Sequence, residues 1–456
     1  ASGSGKSTLL RTLAVQFATR LAPGDLEMYV LDFASRSLGS LADLPQCGGV
    51  INADEGERID RLFAHLDRTV AARKRMLGEW GVSSVAEARA SGRSMPYVVV
   101  MIDGFANFYS TYQMVDHGDL VDRFLKLLSD GRTSGVFFVV TGDRRNAVPS
   151  SVTSLMSARL VMRMGEPDEY VSLGLSGDLG RIDIAPGRGF TVSKQEVQVA
   201  VSGEDPSGAG QNQHVREAAA RVGARHPGLT EIAPLADHVP RGTLAPDGEN
   251  VPFALQGESG VTVGIDLLDA PVFGVFGPER SGRTTALATL VKGIRERSPG
   301  ARFFLASPRR SQLLDMDVWE QAGRGVDGAD SVLVELAAEI RERGSDEPDM
   351  IVVVVDDGEE MTDGAGASAL ADIIRRSRDA SVVVLAAVST SAAHRSFGGW
   401  VSDLKRQRHA VALCPDVDVD GDLFGVRFPR KASRRYPPGR GYVVRRGGFE
   451  YVQVAE

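Results

Sequence analysis

The stretch ASGSGKSTLL (residues 1–10) contains most of a phosphate-binding loop of the pattern G-x-x-x-x-G-K-[ST]. Gly5, Lys6 and Ser7 supply the second glycine, the lysine and the hydroxyl of that pattern. The first glycine would fall one position before Ala1. Three interpretations are open: a decayed motif, a chance match, or a real loop whose first glycine lies outside this sequence.

A second stretch of the same kind, GPERSGRTTAL, begins at Gly277 and contains both glycines of the pattern. The second glycine is Gly282, Arg283 stands where a lysine is expected, and Thr284 supplies the hydroxyl. The apolar run APVFGVF (270–276) precedes this loop and predicts the strand that feeds it. By comparison, we expect the first loop to be real and its leading strand and first glycine to lie outside the sequence.

Further landmarks recur in the same order in the two halves, which predicts a tandem duplication. The pairs are MYVLDF (28–33) with ARFFLA (301–306), YVVVMIDGFANF (97–108) with MIVVVVDDGEEM (350–361), GRTSGVFFVVTG (131–142) with SRDASVVVLAAV (377–388), and APGRGFTV (185–192) with PPGRGYVV (437–444). The spacing between Asp103 and Asp356 almost equals that between Gly187 and Gly439. The first half has extra residues before Asp103, which we expect in the helical stretch 56–82.

These repeats predict an α/β protein with two tandem P-loop domains, each a mainly parallel sheet flanked by helices. We expect the first domain at 1–201, a linker and extended lead-in segment at 202–269, and the second domain at 270–456. Small polar residues dominate the stretch SGEDPSGAGQNQH (202–214), which predicts a flexible or disordered connection.

The composition is that of a soluble globular chain, with 43% hydrophobic and 25% charged residues. The net charge of −8 argues against non-specific nucleic-acid binding by bulk electrostatics and leaves a local basic patch open. Cys47 and Cys414 lie far apart, which fits a reducing cytosol. The longest apolar runs, such as SVVVLAAV (381–388), are far shorter than the roughly 20 residues of a membrane-spanning helix.

The first loop predicts a site for ATP and Mg²⁺, because a strand, a glycine loop and a helix N-terminus together cradle phosphates. The residues expected to contact the nucleotide are Gly3, Ser4, Gly5, Lys6, Ser7 and Thr8. Lys6 is expected to reach the β and γ phosphates. Ser7 and Asp103 are the expected Mg²⁺ ligands, and Asp103 is also the expected catalytic carboxylate. The alternative is a plain turn before a helix.

Gly104 follows Asp103 at the position where hydrolytic P-loop proteins usually have an acidic residue that polarises the attacking water. Glycine has no side chain with which to orient water, so we expect the first site to bind ATP better than it hydrolyses it. Asp32, on the neighbouring predicted strand, is an alternative base.

The second loop departs from the pattern in the opposite way. The residues expected to contact nucleotide are Gly277, Ser281, Gly282, Arg283, Thr284 and Thr285. Asp356 and Asp357 supply both catalytic carboxylates, and Thr284 and Asp356 are the expected Mg²⁺ ligands. Arg283 keeps the positive charge, but a planar guanidinium is a poor substitute for the lysine ammonium. A vestigial loop retained for its fold is an equally open alternative.

Several polar residues near these loops have two open interpretations each. Thr141 and Arg144 follow a predicted strand where a γ-phosphate sensor would lie. Arg132 and Arg378 precede the paired strands, where each either reaches a neighbouring subunit's nucleotide or is a solvated surface arginine. The two PGRG turns fit a structural hairpin turn as well as a functional one. The seven histidines show no metal-binding spacing, so no metal beyond Mg²⁺ is expected.

Taken together, these residues resemble the FtsK/SpoIIIE family of RecA-like motors and, within it, the tandem ATPase domains of the EccC ATPases of type VII secretion. The resemblance covers essentially the whole chain. The stretches that carry it are ASGSGKSTLLRTL, LPQCGGVI (44–51), VVVMIDGF, GRTSGVFFVVTG and PGRGF in the first repeat, and GPERSGRTTAL, IVVVVDDGEE and PPGRGY in the second.

The resemblance implies ATP and Mg²⁺ as cofactors, and a membrane anchor and a further ATPase domain upstream of this sequence. It implies a cytoplasmic location at the inner face of the cell membrane. The implied partners are WXG-class helical-hairpin substrates that carry a C-terminal signal, and other ATPase domains and subunits of the secretion machine, with a hexamer as the active assembly. Gly104 and Arg283 depart from the family's hydrolytic set, which implies slow hydrolysis and a regulatory or substrate-docking role.

The alternative function is that of an FtsK/SpoIIIE-type DNA translocase. The acidic charge balance, the degenerate sites and the lack of a DNA-reading winged helix after the motor count against it.

Overall fold

A computed structural model describes residues 3–143, 148–257, 260–267, 270–343, 349–429, 436–446 and 448–456. The chain divides into two compact units, and the division falls between Pro234 and Leu235. Each unit is an α/β assembly in which helices cover a sheet with a parallel centre. The predicted fold class is therefore confirmed.

The first unit begins with the helix that follows the phosphate loop. Its helices and strands are α1 (Lys6–Arg20), β1 (Leu26–Asp32), β2 (Cys47–Asn52), α2 (Gly56–Trp80), α3 (Val85–Ala90), β3 (Tyr97–Asp103), α4 (Phe105–Tyr112), α5 (Asp119–Asp130), β4 (Val136–Val140), α6 (Ser150–Thr153), β5 (Leu160–Met162), α7 (Pro167–Ser172), β6 (Arg188–Thr191), β7 (Glu196–Gln198) and α8 (Gly208–Val222). The stretch 56–82, where the extra residues before Asp103 are expected, contains α2, and the short helix α3 follows it.

The strands of the first unit form two separate sheets. A four-stranded parallel sheet has the order β2-β1-β3-β4. A three-stranded antiparallel sheet has the order β5-β6-β7. Asp32 and Asp103 are paired at the carboxyl ends of β1 and β3, so the parallel register brings both carboxylates to one edge of the sheet.

The second unit contains the remaining helices and strands. These are β8 (Val251–Gln256), β9 (Thr262–Ile265), β10 (Val272–Phe276), α9 (Arg283–Arg297), β11 (Arg302–Ser307), β12 (Trp319–Arg324), α10 (Gly325–Glu342), β13 (Ile351–Val355), α11 (Gly364–Arg376), β14 (Val382–Val388), α12 (Thr390–Arg395), α13 (Gly399–Arg406), β15 (Ala410–Leu413), β16 (Arg440–Arg445) and β17 (Gly448–Val454).

A single ten-stranded sheet runs through the second unit in the order β12-β11-β13-β14-β10-β15-β16-β17-β8-β9. The strands from β12 to β15 are parallel, and those from β15 to β9 are antiparallel. The loop-feeding strand β10 lies near the centre, between β14 and β15. The predicted strand at 270–276 is thereby confirmed.

The central strands are apolar on both faces because helices cover both sides of each sheet. In β13, Val353 and Val355 pack into one hydrophobic cluster, while Val352 and Val354 pack into the cluster on the opposite face. The first unit repeats this division in β3, where alternate residues from Val98 to Ile102 enter two different clusters. The alternation follows from the two-residue period of a strand.

The segment 202–269, which the sequence assigned to a linker and lead-in, contains a helix and two strands. Helix α8 lies within it and packs on α1, with Val215 and Ala218 fully buried. Strands β8 and β9 extend the sheet of the second unit. The small polar residues before position 215 obscured the apolar face of α8, which begins only there. Among the described residues, no helix is long and apolar enough to cross a membrane.

Shortening Val215 to alanine tests whether α8 is part of the first unit. The change removes two buried methyl groups from the contact with α1, so we expect a loss of about 1–2 kcal/mol in the free energy of unfolding. Chemical denaturation, with hydrogen exchange of the α1 amides, measures both the loss and its location. The matched control is Arg216→Ala on the exposed face of α8, which should change stability by less than about 0.5 kcal/mol. Equal effects of the two changes would contradict the packing role.

Candidate nucleotide-binding sites

The first site is organised around the amino terminus of α1. Gly5 caps this helix in a left-handed conformation with φ 99° that favours glycine. The Ser7 hydroxyl, in the first turn, donates a hydrogen bond of 2.6 Å to the Asp103 carboxylate. Helix α1 therefore presents its free amide groups and a hydroxyl–carboxylate pair at the same place, as a phosphate and Mg²⁺ site requires.

Asp103 is held by a second hydroxyl. Thr141, just after β4, donates a hydrogen bond of 2.5 Å to the other carboxylate oxygen. The amide of Gly104 in turn donates to the Thr141 hydroxyl at 2.9 Å. Thr141, predicted as a possible phosphate sensor, thus orients the buried Asp103. Arg144, its predicted companion, lies outside the described residues.

Lys6 starts α1, and its ammonium lies 3.4 Å from the Ser4 hydroxyl. Gly3, Ser4 and Gly5 form the turn before it, and Thr8 follows on the helix. The structure therefore brings the predicted loop residues together with Asp103. Among the described residues no group of three or more His, Cys, Asp or Glu side chains could hold a metal, but Mg²⁺ usually binds through one or two protein oxygens plus phosphate.

Asp32 has a structural role and not the role of a catalytic base. Its buried carboxylate accepts hydrogen bonds from the amides of Ala34, Ser35 and Leu38, at 3.1–3.2 Å. These bonds fix the turn that follows β1. With its oxygens occupied in this way, Asp32 is a poor candidate to take a proton from water.

Gly104 has a steric reason for being glycine. Its φ is 80°, and a Cβ atom there would lie 3.1 Å from the carbonyl carbon and oxygen of Phe33. Asp357, at the matching position of the second repeat, also adopts the left-handed conformation, with φ 50°. An acidic side chain at position 104 would therefore require the backbone at Phe33 to move.

The second site repeats the hydroxyl–carboxylate pair of the first. Thr284, in the first turn of α9, donates a hydrogen bond of 3.0 Å to Asp356. The Ser311 hydroxyl donates to the same carboxylate oxygen at 2.6 Å. The loop is also similar, since Gly282 caps α9 in a left-handed conformation. Gly277, Ser281 and Thr285 occupy the remaining predicted positions of the loop and first turn.

Arg283 stands where the first loop has Lys6, and its guanidinium is bound by carboxylates of its own unit. It donates two hydrogen bonds to Glu359, at 2.9 and 3.1 Å, and a third to Asp357 at 2.9 Å. Glu359 also accepts the amide of Ser389 at 3.1 Å. We call this cluster of Arg283, Asp357 and Glu359 the arginine latch. Sequence reasoning missed Glu359, although it stands in the DDGEE stretch.

Within the latch Arg283 is buried, and Asp357 and Glu359 are partly buried. Burial raises the pKa of Asp357, and the carboxylates of Asp356 and Glu359 raise it further against the opposing effect of Arg283. Removing one partner of such a buried cluster leaves the others unpaired, which costs more than the pairing itself contributes. The guanidinium is therefore held by carboxylates at the position where the sequence predicts a phosphate-contacting cation.

The PGRG turns support the phosphate loops in both repeats. The amide of Gly187 donates to the carbonyl of Ser4 at 2.8 Å, and the amide of Gly439 donates to the carbonyl of Ser281 at 2.7 Å. A Cβ atom on Gly5 would lie only 2.8 Å from the nitrogen of Gly187. The two backbones touch there, so glycine is required on the loop side.

A glutamine side chain holds each PGRG turn by a hydrogen bond to the carbonyl of a proline in the turn. Gln198 donates to the carbonyl of Pro186 at 3.3 Å, and Gln453 donates to that of Pro438 at 2.9 Å. Both glutamines stand in the sequence VQVA, which occurs at 197–200 and 452–455 and was missed as a repeat. The turn, the glutamine and the loop thus form one unit of structure.

Arg132 and Arg378 lie away from the phosphate loops of their own units. Both are exposed and precede the strands β4 and β14. In a parallel sheet, the amino ends of strands lie at the edge opposite to the carboxyl ends, where the loops are. The structure therefore brings neither arginine to the site of its own repeat.

Comparison with known proteins supports the predicted resemblance over both repeats. The FtsK/SpoIIIE family model matches residues 1–183. The ESX secretion system protein EccC of Thermomonospora curvata is 26% identical, with 99% of this chain and 36% of that protein covered. The ESX-1 secretion system protein EccCb1 of Mycolicibacterium smegmatis is 25% identical, with 99% of this chain and 82% of that protein covered.

A solved structure described as Thermomonospora curvata EccC (ATPases 2 and 3) in complex with a signal sequence peptide has the same fold. Its TM-score is 0.75 at 25% identity, and the match covers 99% of this chain and 86% of that chain. The chain spans little more than a third of the length of the full Thermomonospora protein. The resemblance to the tandem ATPase domains of EccC is confirmed.

Replacing Gly187 with alanine tests whether the PGRG turn positions the first phosphate loop. Alanine at φ +82° is strained, and its Cβ would lie 2.8 Å from the side-chain nitrogen of Gln198. We expect the turn to shift and ATP affinity to fall about tenfold or more, since the loop loses its support. Gly174→Ala is a matched control, because Gly174 has the same φ of +82° with no atom within 4 Å of an added Cβ. Calorimetric titration with ATP compares the two, and equal affinities would contradict the role.

Proposed function

We propose that the chain is a pair of ATP-binding P-loop ATPase domains of a type VII protein secretion motor. The main support is that the chain is similar to EccC over nearly its whole length and contains two phosphate loops, one with Lys6 and one with Arg283 at the cation position. In this proposal the first loop binds Mg-ATP and hydrolyses it slowly. The second loop is retained mainly for its structure and for docking a substrate.

The residues of the first loop fit Mg-ATP. The amides at the start of α1 and the Lys6 ammonium would hold the phosphates, and the oxygens of Ser7 and Asp103 would hold Mg²⁺. Bound Mg²⁺ would neutralise phosphate charge. Thr141 keeps Asp103 oriented toward this place. A base that would take the proton of water is missing from position 104, which supports slow turnover.

The second loop fits nucleotide less well. The arginine latch neutralises the cation that would otherwise attract phosphate. Asp357 and Glu359, which hold the latch, would also repel the γ-phosphate if Arg283 left them. The Thr284–Asp356 pair remains available for Mg²⁺. We therefore assign weaker nucleotide binding to the second site than to the first.

We further propose that the second unit docks the C-terminal signal of WXG-class helical-hairpin substrates. An amphipathic helix laid on an apolar surface is the expected mode. In support, the second unit exposes large apolar side chains, which are Phe397 at 90% and, on α10, Val326 and Val334. The complex of Thermomonospora EccC (ATPases 2 and 3) with a signal sequence peptide supports signal docking by this pair of units.

The remaining partners follow from the same proposal. The chain would act beside other ATPase domains and subunits of the secretion machine, as a hexamer when active. It would lie at the cytoplasmic face of the cell membrane, held by an anchor upstream of this sequence. The alternative, a DNA translocase of the FtsK/SpoIIIE type, has less support, because the relatives described above are secretion proteins.

Replacing Lys6 and Arg283 separately tests whether the first site binds ATP more tightly than the second. Lys6→Ala removes a charge-assisted contact to phosphate, so we expect a loss of about 2–3 kcal/mol in ATP binding. Arg283→Ala, the matched change in the second loop, should leave the tight binding event unchanged, because that guanidinium already pairs with carboxylates. Isothermal titration calorimetry in Mg²⁺ resolves both. Equal ATP affinity in wild type and Lys6→Ala would refute the first site.

Photo-crosslinking tests the secretion function. A WXG-class helical-hairpin protein with a crosslinker in its C-terminal tail should label residues within 270–456, and deletion of the tail should abolish labelling. If labels fall only before residue 200, the docking assignment is wrong. Duplex DNA in the same buffer is the control for the alternative. Tight, salt-dependent DNA binding without capture of the hairpin protein would favour a translocase.

A further inference from the structure

We infer that Asp357 and Glu359 determine the ligand specificity of the second phosphate loop. They hold the Arg283 guanidinium in the arginine latch while the other parts of a phosphate cradle are in place, so the loop rejects polyphosphate. Replacing both carboxylates should therefore make the second loop a nucleotide site. The inference rests on the proposed ATP-binding role of the first loop, and it explains the weaker binding assigned to the second.

The latch occupies three positions that the structure matches between the repeats. The latch cation and Lys6 each follow a left-handed glycine that caps the loop helix. Asp357 and Gly104 each follow the strand-end aspartate and adopt the left-handed conformation. Glu359 then matches Ala106, two residues further along. The first repeat thus has lysine, glycine and alanine where the second has the arginine and the two carboxylates of the latch.

The matched positions differ in the sign of their net charge. The first repeat has a single cation there, whereas the latch has one cation and two carboxylates, which is a net negative charge. Each carboxylate has an oxygen 2.9 Å from the guanidinium. A phosphate that approached this cation would meet two like charges at short range in a partly buried place, where water screens them little. Like charge placed against one ligand is a common source of specificity.

A buried hydroxyl in the second loop supports the same inference. The Ser281 hydroxyl has no hydrogen-bond partner among the described residues. Its counterpart in the first loop is Ser4, whose hydroxyl lies 3.4 Å from the Lys6 ammonium. Buried polar groups without a partner are rare in folded proteins and call for a specific explanation. A loop that is shaped for a ligand, with its cation bound elsewhere, provides one.

The other parts of the phosphate cradle are present in the second loop. Gly282 caps α9 with φ 95°, as the matching glycine caps α1, so the amides of the first turn are presented in the same way. Thr284 and Asp356 form the hydroxyl–carboxylate pair at 3.0 Å. The Gly439 amide supports the Ser281 carbonyl at 2.7 Å. These parts favour an anion with Mg²⁺, and the latch opposes them.

A purely structural role for the latch is the alternative, because an ion pair can also fix a turn. The first repeat counts against it. There the turn after the strand-end aspartate has the same left-handed residue, although Gly104 and Ala106 carry no charge. The turn therefore forms without carboxylates at these positions. What remains for Asp357 and Glu359 is their effect on the cation that they bind.

Converting the second loop to the residues of the first tests the inference. The variant combines Arg283→Lys, Asp357→Gly and Glu359→Ala in the full 456-residue chain. Lys6→Ala is added so that only the second loop reports. Titration calorimetry with Mg-ATP should show a gain in affinity of about tenfold or more over the chain that carries Lys6→Ala alone.

A second variant removes only the charges of the latch. Asp357→Asn with Glu359→Gln keeps the size of both side chains and an oxygen for the Ser389 amide that Glu359 accepts. On the Lys6→Ala background it should raise the Mg-ATP affinity about fivefold or more. If the triple variant fails to fold, as judged by circular dichroism, this isosteric pair decides the question.

The matched control removes two exposed carboxylates of α10 instead, by Glu335→Ala with Glu342→Ala on the same background. Exposed charges are screened by water and salt, so the affinity should change by less than about twofold. The inference is overturned if the isosteric pair binds Mg-ATP no better than the Lys6→Ala chain. It is also overturned if the control gains as much as the latch variants.

The chain with Lys6 intact separates this inference from the proposed function. Tight Mg-ATP binding by the wild type, with no gain in the latch variants, supports the first site and overturns the inference. A gain in the latch variants, with no tight binding by the wild type, supports the inference and refutes the ATP site at Lys6.

Discussion

The hydrogen bond from Ser7 to Asp103 joins the first turn of α1 to the end of the central strand β3, and its counterpart joins Thr284 to Asp356. The bond fixes the distance between the amino terminus of the helix and the carboxyl end of the strand. A second hydroxyl holds the same carboxylate in each repeat, from Thr141 in one and Ser311 in the other. The rest of each site is built around this buried carboxylate.

On this shared frame the two phosphate loops differ in charge and not in backbone. Gly104 and Asp357 both adopt the left-handed conformation, and Gly5 and Gly282 both touch a glycine of a PGRG turn. What differs is the cation at the start of the helix, since Arg283 is bound by Glu359 and Asp357, whereas the ammonium of Lys6 lies 3.4 Å from the Ser4 hydroxyl. A planar guanidinium can bind two carboxylates at once, whereas an ammonium is a point charge. The substitution of arginine therefore changes which anion the loop cation prefers.

Much of the fold could be predicted from the sequence. Buried parallel strands have continuous apolar sequences, and the two glycine loops indicate where a strand is followed by a helix. The feeding strand β10, the helix in 56–82 and the pairing of Asp103 with the loop could all be predicted. Helix α8 could not, since the first apolar residue of its buried face, Val215, follows a polar start that includes the buried Gln211. The roles of Asp32 and Gly104 depend on contacts with the backbone from Phe33 to Leu38, which no spacing in the sequence reveals.

The PGRG turns show why repetition alone could not separate structure from function. Each turn lies more than 150 residues after its loop in the sequence, and yet its glycine amide donates to a loop carbonyl. The hairpin after each turn positions the glutamine that bonds to the turn. The hairpin therefore supports the site, although none of its side chains is proposed to contact nucleotide. The second repeat keeps this support while its cation is latched. The hydrogen bond from the Gly439 amide to the Ser281 carbonyl therefore supports the loop by backbone contacts that involve neither Arg283 nor a nucleotide.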